Sequence, residues 1–200
     1  MTAGNLLRAG LLSLLLALVL RPDWFAPLFA PLAPAGGPVI YARSSLLSLS
    51  LSHLGLVALA SGAATLVAVT LAIFVTRPVG ASFLPLSRTI TNIGQTFPPV
   101  AVLALAVPAL GFGAGPTLVA LFLYGLLPIF ENAITALTTL PPATMEAARG
   151  MGLNRWQRLW RVELPLALPV ILTGIRLSVV IALGTATIGS TVAARTLGEV

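Results

Sequence analysis

Long apolar runs recur along this chain of 200 residues, and only short polar segments interrupt them. A helix needs about 20 mainly apolar residues to cross the hydrocarbon core of a bilayer. Only 8% of the residues are charged, whereas a soluble domain carries about 25%. Because so few charges cannot cover the surface of a globule, the sequence predicts an all-α, polytopic transmembrane helical bundle.

Five apolar runs are predicted to span the membrane. The first, Leu6–Leu20, is short, and the alternative for it is a signal peptide with Arg8 in its basic region and a cleavage site near residues 30–35. The third contains GQTFPPV at residues 94–100 and a further proline, Pro108, which should bend or break it. The second to fifth runs are Leu54–Val75, Thr91–Leu110, Thr117–Leu137 and Leu166–Ile188, and a serine-rich, amphipathic lead-in precedes the second.

The arginines predict the orientation of the bundle, because basic residues concentrate in cytoplasmic loops. If the N-terminus is cytoplasmic, seven arginines lie inside, three lie outside, and Arg176 lies within a span. The sequence therefore predicts a cytoplasmic N-terminus and a cytoplasmic segment at 141–165. The inner set is Arg8, Arg77, Arg88, Arg149, Arg155, Arg158 and Arg161, and the outer set is Arg21, Arg43 and Arg195.

Residues 141–165, PPATMEAARGMGLNRWQRLWRVELP, form the most charged part of the chain and are called the coupling segment below. Two short helices are predicted here, since prolines suit a helix start and Gly150 and Gly152 can end the first helix. Asn154 is a good N-cap for the second helix. On amphipathicity alone, this helix fits equally a juxtamembrane element that lies on membrane lipid. Its predicted faces are Arg155, Arg158 and Arg161 on one side and Trp156, Leu159 and Trp160 on the other, with an end at Leu164–Pro165.

The spacing within the coupling segment resembles the EAA loop of binding-protein-dependent ABC importer permeases, whose pattern is EAA-x3-G-x9-I-x-LP. The chain matches each fixed element except the isoleucine, which is Val162 here. The resemblance implies the type I ABC importer permease fold and coupling helices that sit in a groove of an ATP-binding subunit dimer. The residues assigned to this ATPase-coupling loop are Glu146, Ala147, Ala148, Gly152, Arg155, Trp156, Leu164 and Pro165.

Three further stretches resemble the osmoprotectant branch of these permeases, which takes up glycine betaine, choline or carnitine. They are residues 92–113, 123–137 and 163–199, and the runs GQTFPP and GTATIGST look closest to the Yeh-type osmoprotectant permeases. Near its end the chain has AARTLG where family members commonly read GAGGLG. The permease core would then be residues 54–200, and residues 1–53 would supply one helix and a periplasmic or interfacial lead-in.

The resemblance also implies a location and partners. It implies a multi-pass protein of the bacterial inner membrane that works with an ATPase dimer, a second permease copy or paralogue, and a periplasmic or lipoprotein solute-binding protein. No nucleic-acid partner is expected, because the arginines lie between apolar runs as in membrane topology. An importer for an amino acid or a sulfonate is the alternative, and a non-transport membrane assembly subunit or membrane enzyme is a further one.

No catalytic constellation is predicted in this chain. A phosphate-binding loop of the form GxxxxGKS or GxxxxGKT needs a lysine, and the chain has none. One histidine and no cysteine leave no metal site to predict. ATP and Mg²⁺ are therefore expected on the partner ATPase, and no cofactor is expected on this chain.

Four polar residues are candidates for the translocation pathway. Asn92, Gln95 and Thr96 precede the break expected at Pro98, and such breaks either line a pathway or only satisfy their own backbone. Glu131 lies within the fourth run, where charged groups are usually functional, although its position near the cytoplasmic end also allows it to reach water.

Two further residues are predicted to have structural roles. His53 is expected at the membrane interface, at the outer end of the second run, and Arg176 should extend toward the headgroups.

Permeases of the resembled family have two spans after the EAA loop, whereas one run follows it here. We therefore expect a longer permease with at least one more C-terminal helix after Val200.

Overall fold

The computed structural model describes residues 3–32, 39–41 and 43–200, and the regular structure within these ranges is entirely helical. The predicted all-α class is therefore confirmed. Residues 33–35, part of the alternative signal-peptide cleavage stretch, lie outside the described residues. The α-helices are α1 (Ala3–Leu20), α2 (Ala26–Phe29), α3 (Leu46–Val75), α4 (Leu84–Thr96), α5 (Pro99–Leu110), α6 (Ala114–Thr138), α7 (Pro142–Gly150), α8 (Arg155–Arg158) and α9 (Leu164–Ala186).

Three helical stretches of the described chain are long and apolar enough to cross a membrane. They are α3, α6 and the continuous stretch Arg155–Val192, which contains α8 and α9. Two bent pairs raise the number to five when each pair counts as one span: α1 with the short helices at Pro22–Phe29, bent by 108°, and the Ala81–Thr96 helix with α5, bent by 99°. The five predicted runs thus correspond to these five helical units.

Small residues bring α3, α6 and α9 together at the centre of the bundle. Ala64, Ala68 and Ala72 recur every four residues along α3, and all three are fully buried. A Cβ placed on Gly125 of α6 would lie 2.7 Å from Oγ of Ser178 on α9 and 3.2 Å from Cβ of Ala64. Small side chains allow helix backbones to approach closely, so α6 packs directly against both of its neighbours.

The helix α3 begins eight residues earlier than the sequence predicts, at Leu46 and not at Leu54. Ser45 caps it, since its Oγ accepts a hydrogen bond of 3.2 Å from the backbone N–H of Ser48. The serine-rich lead-in therefore forms the first turns of the same helix. Leu49, within this lead-in, is fully buried. The mean hydropathy of the segment does not show this, because the neighbouring serines lower it.

The predicted break in the third run is confirmed, but this run begins earlier than Thr91, at α4. Phe97 separates α4 from α5 and is extended, with φ −105° and ψ 143°. The ring of the following proline, Pro98, disfavours the helical conformation at this residue. At Pro108 the helix does not break, because α5 continues through this residue to Leu110.

His53, expected at the level of the membrane interface, is buried within the protein. Its Nδ1 accepts a hydrogen bond of 3.3 Å from the backbone N–H of Leu197, so Nε2 carries the proton and donates to the carbonyl of Leu183 at 3.1 Å. The short helix Thr187–Val192 continues α9, and Ala193, with φ 61° in the left-handed region, turns the chain toward this point. The imidazole thus ties the first turns of α3 to α9 and to the last residues of the sequence.

Candidate functional site

The first helix of the coupling segment, α7, begins and ends at the predicted residues. Pro141 occupies its N-cap position and Pro142 its first position. At the other end Gly152 has φ +77°, in the left-handed region that favours glycine. Its N–H donates to the carbonyl of Arg149 at 2.9 Å, so Gly152 turns the chain toward α8.

The second helix, α8, starts with a reciprocal cap. Oδ1 of Asn154 accepts from the backbone N–H of Gln157, and Oε1 of Gln157 accepts from the backbone N–H of Asn154, both at 2.9 Å. Each side chain thereby satisfies a backbone donor that a helix N-terminus leaves unpaired. The predicted cap at Asn154 is confirmed, and it fixes the angle at which α8 leaves the turn.

The helix does not end at Leu164–Pro165, which corrects the sequence prediction. Residues Leu159–Glu163 form a π-turn, in which the N–H of Leu164 donates to the carbonyl of Leu159, and the helix then continues as α9. Proline lacks a backbone donor and is tolerated in the first turn of a helix. Because the hydrogen-bonding register changes in the π-turn, Pro165 falls in the first turn of α9.

The two predicted faces of the second helix are also wrong. Trp156 and Trp160 are 70% and 66% exposed, whereas Leu159 is buried. The side chain of Arg158 is only 19% exposed and points to the same inner side as Leu159. Arg158 and Leu159 are consecutive residues, less than a third of a helical turn apart, so both can lie on the inner side while Trp156 and Trp160 lie on the outer side.

In α7 the assigned coupling residues divide between surface and interior. Glu146 and Ala147 are exposed, whereas Ala148 is buried. Arg155 of α8 is exposed as well. The coupling segment therefore presents an acidic group, a small residue, an arginine and the indole of Trp156 on its surface.

Glu163 is a buried carboxylate that sequence reasoning missed. The residue is 3% exposed, and its Oε2 lies 2.5 Å from Nη2 of Arg77, just beyond the end of α3. Its Oε1 lies 4.0 Å from Nε of Arg158. A buried charge is retained only with such partners. The sequence signal for an ion pair here was an acidic residue in a segment that is otherwise rich in arginine.

A cavity of about 600 Å³ lies between the coupling segment and the ends of α3 and α6. The charged residues that line it are Arg77, Arg149, Arg155, Arg158 and Glu163. We call it the arginine cavity. Its lining has four positive side chains and a single negative one, so Glu163 provides the only neutralising charge from within its walls.

The candidate pathway residues divide into two places. Around the α4–α5 break, Nε2 of Gln95 donates to the carbonyl of Tyr124 at 2.9 Å, Oγ1 of Thr96 donates to the carbonyl of Ile93 at 2.7 Å, and Asn92 is exposed. Oη of Tyr124 in turn donates to the carbonyl that the break leaves free, that of Phe97. Sequence reasoning missed Tyr124, although a broken helix within a membrane requires such a donor.

Glu131 lies elsewhere, where it accepts from Nε and Nη2 of Arg88 on α4, at 3.0 and 3.3 Å. The ion pair is bidentate, and both side chains are partly exposed. Among the described residues no three His, Asp or Glu side chains are grouped as metal ligands would be. The candidate pathway residues thus contribute hydrogen bonds at the break and one ion pair between α4 and α6.

The chain matches the family described as "Binding-protein-dependent transport system inner membrane component" over residues 68–200. Osmoprotectant import permease protein OsmY of Salmonella typhimurium is 44% identical over 154 residues, which are 77% of this chain and 65% of that protein. Osmoprotectant import permease protein OsmW of the same organism is 43% identical over 165 residues, 76% of this chain and 73% of that protein.

A third relative is the glycine betaine/carnitine/choline transport system permease protein OpuCB of Bacillus subtilis. It is 37% identical over 141 residues, 68% of this chain and 65% of that protein. The chain thus spans about two thirds of the length of these relatives. A solved structure of the MetNI methionine ABC transporter in inward-facing conformations matches with a TM-score of 0.67, 23% identity and 77% of each chain covered.

Proposed function

Because the chain belongs to the family of binding-protein-dependent transport system inner membrane components, we propose that it is the permease subunit of an ABC importer for quaternary ammonium osmoprotectants. Its fold is the type I ABC importer permease fold expected from the sequence. Two relatives are named as osmoprotectant import permeases, and a third as a permease for glycine betaine, carnitine and choline. These names support the substrate class, and we place this multi-pass protein in the bacterial inner membrane.

The coupling segment is the observation that carries this proposal. It matches the EAA pattern, and the structure folds it into two short helices with Glu146, Ala147, Arg155 and Trp156 exposed. We infer that these residues contact an ATPase subunit dimer that binds ATP and Mg²⁺. The chain itself then needs no cofactor, and movement of the coupling segment alternates access to the solute pathway.

For the pathway we propose the broken helix pair α4 and α5. Asn92 is free to contact solute because it is exposed, whereas Gln95 and Thr96 hold the backbone around the break. Glu131 is less suited to bind a cation, since Arg88 already neutralises it. A second permease copy or paralogue completes the pathway, and a periplasmic or lipoprotein solute-binding protein supplies the high-affinity site.

The test of this proposal is uptake by the complete complex in proteoliposomes, with its ATPase and solute-binding protein. We expect ATP-dependent import of glycine betaine, choline or carnitine, and none of methionine or taurine. The isolated permease should bind glycine betaine weakly in calorimetry, because the recognition site lies on another protein. Import of methionine or taurine alone would overturn the substrate class. Micromolar binding of glycine betaine by the isolated chain would overturn the assignment of the high-affinity site to the solute-binding protein.

A matched pair of glycine variants tests the coupling segment. Gly152→Pro fixes φ near −65° where +77° is needed and removes the N–H that donates to Arg149. Gly150→Ala is the control, since nothing lies within 4 Å of its added Cβ. We expect Gly152→Pro and Glu146→Lys to reach the membrane but to lose import and ATPase copurification. Normal import and association in both would leave the coupling segment as a lipid-facing helix only.

A further inference from the structure

Glu163 joins three parts of the fold through one carboxylate. It lies in the π-turn before α9, it pairs with Arg77 just beyond α3 at 2.5 Å, and it lies 4.0 Å from Arg158 of α8. The three residues are far apart in sequence or on different elements, so the contact is tertiary. The coupling segment therefore has a charged contact with α3 that its own helices do not provide.

This contact is short and largely shielded from water. The side chain of Glu163 is 5% exposed and that of Arg77 is 31% exposed. Charge pairs that are partly buried are screened much less than exposed pairs. Removal of one partner from such a pair leaves the other uncompensated, which costs far more than the loss of a surface ion pair.

We propose that Glu163 is the positioning residue that transmits displacement of the coupling segment to α3, through its ion pair with Arg77. The inference rests on the proposed importer function, and it assigns a role to the variable position between Val162 and Leu164 of the EAA pattern. The ATPase moves α7 and α8, and α3 follows because Glu163 holds Arg77. Without this contact the coupling segment moves while α3 stays in place.

The charges around Glu163 predict that loss of Glu163 and loss of Arg77 have different effects on the protein. Glu163→Gln leaves Arg77 and Arg158, which both lie beside this carboxylate, without their negative partner. Arg77→Gln leaves Glu163 neutralised by Arg158. Both variants break the contact and should lower the import per ATP, and Glu163→Gln should also destabilise the protein more than Arg77→Gln does, because it leaves two arginines without their carboxylate.

The experiment compares these variants in proteoliposomes that contain the whole complex. Three quantities are measured: copurified ATPase, ATP hydrolysis, and glycine betaine imported per ATP hydrolysed. Glu163→Gln should keep assembly and hydrolysis and lower the import ratio about ten-fold, within the usual range of coupling between distant sites. Arg77→Gln, alone or combined with Glu163→Gln, should lower the import ratio to a similar extent because the contact is absent in each, and Glu163→Asp should regain part of the wild-type ratio.

The control removes a positive charge elsewhere. Arg21 is exposed and forms none of the ion pairs seen among the described residues, so Arg21→Gln should leave the import ratio unchanged. An unchanged ratio in Glu163→Gln overturns the inference. Equal loss of assembly, hydrolysis and import in Glu163→Gln and Glu163→Asp also overturns it, because the role is then merely structural.

Two further outcomes separate failure of this inference from failure of the proposed function. If Glu163→Gln does not reach the membrane, the double variant decides, since it leaves one arginine, Arg158, and not two without the carboxylate. Its import ratio must then fall below that of wild type while assembly is kept, and a wild-type ratio refutes the inference. If the wild-type complex neither assembles with the ATPase nor imports glycine betaine, the proposed function itself fails and the inference falls with it.

Discussion

The close approach of α9 to α6 at Gly174 predicts a measurable loss of stability in Gly174→Ala. A Cβ at this position would lie 2.7 Å from the carbonyl oxygen of Pro128, 2.8 Å from Cβ of Asn132 and 3.1 Å from Cα of Ile129. Ordinary contact begins near 3.4 Å, and none of these atoms is the end of a flexible side chain. The two helices must therefore move apart by roughly 0.7 Å. A gap of about that size removes about a quarter to a half of the van der Waals attraction at each neighbouring contact.

The magnitude follows from two opposing terms. Overpacking of this kind costs about 1–3 kcal/mol, and replacement of glycine by alanine within a helix regains up to about 1 kcal/mol. The net expectation is a loss of about 1–2 kcal/mol in the free energy of unfolding. A domain of this size loses about 2–4 °C in Tm for each kcal/mol, so Gly174→Ala should melt roughly 2–8 °C below wild type.

Gly184 of the same helix is the matched control, because nothing lies within 4 Å of a Cβ built there. Gly184→Ala should leave Tm unchanged or raise it, by the helix propensity alone. The assay is thermal unfolding of the detergent-purified chain, followed by circular dichroism at 222 nm. A Tm of Gly174→Ala at or above that of wild type, or an equal fall in Gly184→Ala, would refute the packing of α6 on α9.

Three other outcomes are expected. Asn154→Ala removes one arm of the reciprocal cap, so about 1 kcal/mol of local stability should be lost and amide exchange in α8 should accelerate, while Asn154→Ser keeps normal exchange. His53→Phe removes both hydrogen bonds of the imidazole, to the N–H of Leu197 and the carbonyl of Leu183, which should lower the free energy of unfolding by about 0.5–1.5 kcal/mol for each bond in thermal melts. Cysteines at Met151, which is 72% exposed, and at Ala114 should react with impermeant maleimide from opposite sides of the membrane, as the arginine bias predicts.

Each of these outcomes has a clear opposite. Unchanged exchange in Asn154→Ala would mean that the cap does not hold α8, and an unchanged melting temperature in His53→Phe would mean that the imidazole is not part of the core. Labelling of both cysteines from one side would exclude the predicted topology, and with it a cytoplasmic coupling segment.

Local features of the chain were predictable because their causes are local. Apolar runs indicated the helical units, Gly152 and Asn154 indicated the turn within the coupling segment, and Pro98 indicated the break. Each depends on backbone preferences or hydrogen bonds within a few residues. The sequence pattern was therefore sufficient to place the coupling segment and the start of each of its helices.

Features that depend on distant residues were missed. Glu163 pairs with Arg77, 86 positions away, and His53 meets the N–H of Leu197, 144 positions away. A single sequence can show that such a group needs a partner, but not which distant residue that partner is. The continuation of α8 into α9 was missed for another reason, since Leu164–Pro165 favours a helix end unless a π-turn precedes it.

The unbroken helical stretch Arg155–Val192 has mechanical consequences. Its 38 residues extend roughly 57 Å at 1.5 Å per residue, about twice the ~30 Å thickness of the hydrocarbon core. Helices bend most easily at prolines and π-turns, and the π-turn, Pro165 and Pro169 all lie in the first part of this rod. Its compliance is therefore concentrated between Leu159 and Pro169, so the end that carries α8 can swing while the stiffer half against α6 keeps its shape.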